Sequence, residues 1–435
     1  MTLGKMLRLM LGSVGLRFAG AGLGLLTQVV LARSFPQAEV GIILLAMSMA
    51  AALSAVVALG YPLLALTQLP RFLALGMKHP VAAFHGTYLR DLLTATLAVA
   101  VLVALAAGVS GLNYGFKLAL LFGALSAVPS AMLRYNSALA NGLRRFNLAF
   151  VPDFIFRPGL FFLYVAAAFL LGQRLSLVHV LIIYVSSNAL VALGQGLMMR
   201  GQGIKLHDWF ETRRSFTLVL RQRAVALAIV GAATVMFADL VTLTGNWFLS
   251  HDDLAILGLS VRLAAIAGFV IQATQQFILP DLTSALATRE DAKADQLLLK
   301  LNLLTLIAMA AGLAVAIAFG GMILGIFGPA YRDGHWLLVL FLVGQTIKSL
   351  SGMNQNLMSI GGHQLRSAGA CILGLMVFIG AWFALAPQFG LLAAGLAVIL
   401  AEAIWATLLA AQVQQMMGRR ADLPWLLAHG RLTKT

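Results

Sequence analysis

Apolar residues run along this chain in blocks of twenty or more, separated by short polar stretches that hold most of the charge. A helix rising about 1.5 Å per residue crosses the roughly 30 Å hydrocarbon core of a bilayer in about 20 residues, so each block predicts one spanning α-helix. Twelve blocks can be placed, near residues 8-34, 39-68, 84-109, 115-142, 148-172, 176-199, 224-249, 254-284, 298-326, 334-361, 364-386 and 388-415. The first block leads directly into the second with no small-residue cleavage site behind it, so it reads as a retained helix. Pro62, Pro158 and Pro280 fall inside blocks and predict bends. The fold class that follows is an all-α integral membrane protein of about 12 transmembrane helices.

Composition strengthens this reading, since 61 % of the 435 residues are hydrophobic and only 10 % are charged. A soluble core has no use for so much apolar surface. The net charge of +15 gains meaning once sorted by loop. With the N-terminus inside, twenty-one of the thirty Lys and Arg fall on one side of the membrane, among them Arg71, Lys78, Arg90, Arg144, Arg145 and the run from Arg200 to Arg223. Only Arg33, Lys117, Arg174 and Arg332 fall on the other. Positive loops resist export, so both termini are expected in the cytoplasm. The basic balance then reflects topology and contact with anionic membrane lipids, leaving no call for a nucleic acid partner. The single cysteine, Cys371, allows neither an intramolecular disulfide nor a cysteine metal cluster.

The halves of the chain echo each other. ARSFPQAEVGIILLAM (32-47) sets a turn, an acidic residue and a glycine before a helix, and LSHDDLAILGLSVRL (249-263) does so again about half the chain later. Gly60-Tyr61-Pro62 is matched by Leu279-Pro280-Asp281, and LANGLRRF (139-146) by SIGGHQLR (359-366). Two parallel six-helix lobes follow, a duplication common in transporters. The expected division is residues 1-200 for the first lobe, 201-223 for a linker, 224-415 for the second lobe and 416-435 for a cytoplasmic tail. The linker interleaves Trp209, Phe210 and Phe216 with charged residues, which fits either a helix lying in the membrane interface or a solvated connector.

Five cations remain inside the spans: Arg17, Arg134, Arg157, Arg262 and Lys348. An ionised side chain in hydrocarbon costs at least about 2.5 to 3.5 kcal/mol, so each must face protein or water. Together they can line a basic track for a phosphate, which arginine grips with two parallel hydrogen bonds. The plainer reading is local pairing, Asp153 with Arg157 four residues on and Asp239 with Arg262. Asp239 and Glu402 lie near the centres of their blocks, where a carboxylate can carry a proton or hold Na+, so ion coupling is a second expectation. The amides of spans eight and ten, Gln272, Gln275, Gln276 and Asn354-Gln355-Asn356, suit either sugar hydroxyls or neighbouring helices.

Enzyme signatures are missing: the sequence has no Gly-Lys-Ser phosphate loop, no His-Glu-x-x-His and no Gly-x-Ser-x-Gly elbow. His251, His335 and His363 read as solvated loop residues. No cofactor is expected, apart from possible Na+ or H+ coupling.

Several short motifs carry a family resemblance: Ala38-Glu39-Val40-Gly41, Leu59-Gly60-Tyr61-Pro62, Asn141-Gly142 with Arg144-Arg145, Phe327-Gly328-Pro329-Ala330-Tyr331 and Gly361-Gly362-His363. With them the chain resembles the polysaccharide and O-antigen flippases, the Wzx-like or PST branch of the multidrug/oligosaccharidyl-lipid/polysaccharide (MOP) transporter superfamily. The resemblance implies a two-lobe, MATE-like fold of twelve helices working by alternating access around a cationic cavity. It also implies an undecaprenyl-pyrophosphate-linked oligosaccharide as cargo, moved across the bacterial inner membrane for lipopolysaccharide or other surface-polysaccharide biosynthesis. Under the resemblance, Arg17, Arg134, Arg157, Arg262 and Lys348 are the substrate-binding set. A complete two-lobe carrier is expected as a monomer, with polysaccharide assembly enzymes as its possible associates. An ion-coupled multidrug exporter of the MATE type shares the plan and is the alternative.

Overall fold

Backbone polar groups in hydrocarbon must be satisfied within their own segment, and helices do this. The computed structural model describes residues 3–74, 78–109, 111–143, 145–173, 175–200, 218, 220–225, 227–228, 237–361 and 363–429. Among these residues all regular structure is helical. Among the described residues ten helices are long and apolar enough to cross a membrane, or eleven if one bent pair is a single span. The seventh block, 224-249, and the linker with Trp209, Phe210 and Phe216 lie largely outside the described residues. The protein is a multi-pass membrane protein whose described residues fall into two compact units, Met1–Asn246 and Trp247–Thr435.

The first unit comprises α1 (Leu3–Ser34), α2 (Gln37–Ala58), α3 (Tyr61–Ala74), α4 (Lys78–Ala107), α5 (Tyr114–Gly142), α6 (Phe146–Val151), α7 (Arg157–Leu170), α8 (Leu177–Arg200) and α9 (Phe237–Gly245). Its centre is the seam between α2 and α5. Val40, Ile43, Leu44 and Leu45 are buried there. Gly123 lets α5 approach so closely that a Cβ at that position would lie 2.7 Å from Met49 Cβ. The second predicted span is not one helix. Leu59 and Gly60 adopt left-handed backbone, φ 49° and 73°, and break the helix just before Pro62. At the break Gly60 lies against the backbone of Ala224 and Ala228, where any Cβ would collide.

The fifth predicted span is interrupted by a π-helical turn, Pro152–Phe156, between α6 and α7. Two prolines explain its bonding. Pro152 has no N–H for the carbonyl of Leu148, and Gln195 Nε2 on α8 donates to that oxygen instead at 2.9 Å. Pro158 likewise cannot serve the carbonyl of Phe154, and α1 approaches that oxygen at Gly20, where a Cβ would not fit.

The second unit contains α10 (His251–Ala287), α11 (Asp291–Gly325), a 3₁₀ turn (Pro329–Gly334), α12 (His335–Leu350), α13 (Asn354–Ile360), α14 (Gln364–Phe389), α15 (Leu392–Met417) and α16 (Leu423–His429). Ser250 caps α10 by accepting from the N–H of Asp253 at 3.1 Å. The helix runs unbroken through position 280, so Leu279-Pro280-Asp281 does not repeat the break at Gly60. The break in this unit falls instead in the tenth predicted span, where α12 and α13 meet at 44° across residues 351–353. His335 is no solvated loop residue. Its Nε2 lies 3.0 Å from the carbonyl of Ala316 and therefore donates to it, tying α12 to α11.

Candidate functional site

Three of the five intramembrane cations converge in the first unit. The π turn makes this possible, because one additional residue in a helical turn rotates every later side chain by roughly 100°. Asp153 and Phe154 sit in that turn, which touches both α1 and α5. Arg157, at the start of α7, places Nη2 3.3 Å from Asp153 Oδ1, the i,i+4 pair expected from the sequence. Arg17 on α1 holds its guanidinium 5.3 Å from the Phe154 ring centre and in the field of Asp153. Arg134 on α5 lies within electrostatic range of Arg157, Asp153, Asp239 and Tyr184. Arg157 in turn feels Tyr184 and Asp239.

Among the described residues, Asp153 thus faces all three guanidiniums and Asp239 faces Arg134 and Arg157, which repel each other. An excess of cations held together in a largely apolar unit is relieved by a bound anion, and arginine's planar fork matches carboxylate and phosphate oxygens.

Lys348 belongs to a second cluster, inside the second unit. Its Nζ lies 5.5 Å from the centre of the Trp405 ring. Glu402 on α15 is 4 % exposed and lies within electrostatic range of Lys348. A cavity of about 50 Å³ opens among Gln272, Lys348, Gln355, Asn356, Glu402 and Trp405. The amides here also brace helices: Gln275 Nε2 donates to the carbonyl of Gly352 at the α12/α13 break, 3.1 Å away, and its Oε1 accepts from Asn356 at 3.4 Å. Arg262 stands half-buried about a third of the way along α10 in this unit. Among the described residues no group of His, Cys, Asp and Glu side chains is arranged to hold a metal ion.

Three buried carboxylates, Asp91, Asp295 and Asp422, escaped the sequence reading. Asp91 on α4, 5 % exposed, accepts two hydrogen bonds from Arg221 Nε and one from its Nη2 at 2.6 to 3.0 Å, and another from Tyr61 Oη at 2.6 Å. It falls inside the predicted span 84-109, and its partner Arg221 stands 130 residues away, beyond the reach of any local pattern.

No protein-family profile matches the sequence, and no curated protein sequence matches it. Solved structures do. The chain is similar to a multidrug resistance MATE family transporter of the MOP superfamily in its inward-facing conformation, with TM-score 0.75 and 13 % identity over 91 % of this chain and 94 % of that one. An outward-facing conformation of such a transporter aligns with TM-score 0.64 and 14 % identity over 94 % of each chain. A MOP superfamily transporter from Pyrococcus furiosus, described as having a binding pocket of reverse polarity that suggests a different function, aligns with TM-score 0.56 and 14 % identity over 94 % of each chain. The protein has the MATE/MOP transporter fold.

Proposed function

We propose that the protein is a transporter that flips an undecaprenyl-pyrophosphate-linked oligosaccharide across the bacterial inner membrane, with Arg17, Arg134 and Arg157 receiving the pyrophosphate. The observation that carries this reading is the surplus of guanidiniums over carboxylates around Asp153. A cationic drug would be repelled by such a cluster, whereas a pyrophosphate completes it. The Pyrococcus furiosus neighbour, with its pocket of reverse polarity, offers a precedent on this fold for a binding site of altered charge. Voltage supplies a driving force: two negative charges leaving an inside-negative cell gain roughly 4 to 5 kcal/mol at 100 mV, at about 2.3 kcal/mol per charge. Protein cations that moved with the cargo would reduce that gain. Arg262 and Lys348 are the cations the second unit would offer the cargo, and Glu402 or Asp239 would carry a coupling ion that resets the empty carrier.

The test is flipping of a fluorescent undecaprenyl-pyrophosphate oligosaccharide in proteoliposomes. Arg17→Ala and Arg134→Ala are expected to slow it roughly tenfold to a hundredfold, the equivalent of about 1.5 to 3 kcal/mol for a hydrogen bond to a charged group. A wild-type protein that moves no such lipid across several glycans would sink the reading. One observation favours ion-coupled multidrug export instead: a buried carboxylate beside an aromatic face, Glu402 with Trp405, suits an organic cation. Export of cationic dyes that survives Arg17→Ala and fails in Glu402→Gln would select that alternative.

A further inference from the structure

A cavity of about 140 Å³ lies in the first unit between α4, α5 and α8, walled by His85, Tyr88, Met132, Asn136, Gly196 and Met199. It is separate from the arginine cluster. Its rim includes Leu193 and Leu197, which are 58 % and 61 % exposed and continue, with Leu190, an apolar stripe along the outside of α8. Molecules reach such a mouth from hydrocarbon. Inside, most polar groups are already served: His85 Nδ1 is 3.1 Å from Tyr135 Oη, and Tyr88 Oη donates to the carbonyl of Ala131 at 3.2 Å. Asn136 is the exception. It is 6 % exposed, lines the cavity, and its Nδ2 has no hydrogen-bond partner among the described residues. A buried amide donor left unmade is costly, so this cavity calls for an acceptor oxygen.

Depth narrows the choice of occupant. Met199 lies one residue before the end of α8 at Arg200, His85 two turns into α4 from Lys78, and Asn136 six residues before the end of α5 at Gly142, so the cavity lies within two turns of three helix ends. In a bilayer that level holds the ester carbonyls of phospholipids, between the headgroups and the chains. We infer that this cavity is a lateral site for the glycerol-ester region of a membrane phospholipid, with Asn136 Nδ2 donating to an ester carbonyl and the chain lying against Met132 and Met199. The site stands independently of any reading of the cargo. Tyr88, one of its walls, meets Tyr61 edge-on at 5.4 Å, and Tyr61 holds Asp91. An occupant therefore bears on the contact with Arg221.

Native mass spectrometry of the full chain, titrated with dioleoylphosphatidylethanolamine and with its dialkyl ether analogue, tests this without transport. The diester lipid is expected to be held roughly threefold to tenfold more tightly, the worth of one hydrogen bond, since the ether lacks the carbonyl. Asn136→Leu should erase that preference, and Gly196→Leu should remove binding of both lipids at this site. Equal retention of diester and diether by the wild type, which requires no variant to fold, would overturn the proposal, as would a preference that persists in Asn136→Leu.

Discussion

Gln195 does at the residue scale what a backbone N–H does elsewhere. It serves the Leu148 carbonyl that Pro152 leaves unmet, and the same Nε2 lies 3.1 Å from Ser137 Oγ on α5. Gln195→Leu should therefore cost about 1 to 3 kcal/mol, the penalty for a buried acceptor without a donor. The cost should shrink in a Pro152→Ala background, where the main chain regains its N–H; denaturant unfolding in detergent of the four proteins of that cycle measures the difference. An equal cost in both backgrounds would mean that Gln195 acts only through Ser137. Local spacing made the Asp153–Arg157 pair legible in the sequence, because four residues on a helix share a face. Gln195 and Leu148 stand 47 residues apart, and Asp91 and Arg221 stand 130 apart. No period connects such partners, so they emerge only once the helices are assembled.

At the scale of elements, hydropathy located the spans and blurred their breaks. A sliding average over apolar residues passes smoothly through Leu59-Gly60 and through residues 351–353, although the backbone turns at both. Proline was the visible signal, and at position 280 it does not end the helix: α10 continues through it. Glycine carries the breaks. Gly60 and Gly352 have φ of 73° and 61°, and each lies against a backbone carbonyl, of Ala224 and Ala421 respectively. Alanine at either position combines a left-handed backbone with a collision. Gly352→Ala is expected to lose more than about 1 kcal/mol of stability and to speed hydrogen exchange in residues 418–429, because the collision is with the segment that leads into α16. Exchange there at the wild-type rate would show that the segment holds by its other bonds alone. Gly60→Ala makes the parallel case at residues 220–228.

Those other bonds bring the whole molecule into view. In the second unit the chain leaves α15 through Gly418 and is fastened at once. Arg419 bonds Asp291 at 3.0 Å and Asp295 at 2.5 Å, Asn302 Nδ2 donates to the Ala421 carbonyl at 2.7 Å, and the Ala421 N–H donates to Asn354 Oδ1 at 2.7 Å. In the first unit Arg221 fastens the segment after α8 to Asp91. Asp91 lies on the third predicted span and Asp295 on the helix of the ninth, while the arginines follow the sixth and the twelfth. Each unit thus holds the same physical device, an arginine late in the unit that clasps a buried carboxylate on an earlier helix. Arg221 is about half exposed and Arg419 is 14 % exposed, so water replaces the first more easily than the second. Arg221→Ala should cost about 1 to 2 kcal/mol, because Asp91 keeps its bond from Tyr61 and water replaces an exposed guanidinium, and Arg419→Ala about 3 to 5 kcal/mol, because it removes a buried guanidinium from both Asp291 and Asp295. If the two clasps are separate devices, one in each unit, the double variant adds the two costs to within about 0.5 kcal/mol. A larger departure from additivity in denaturant unfolding would mean that the two clasps are coupled.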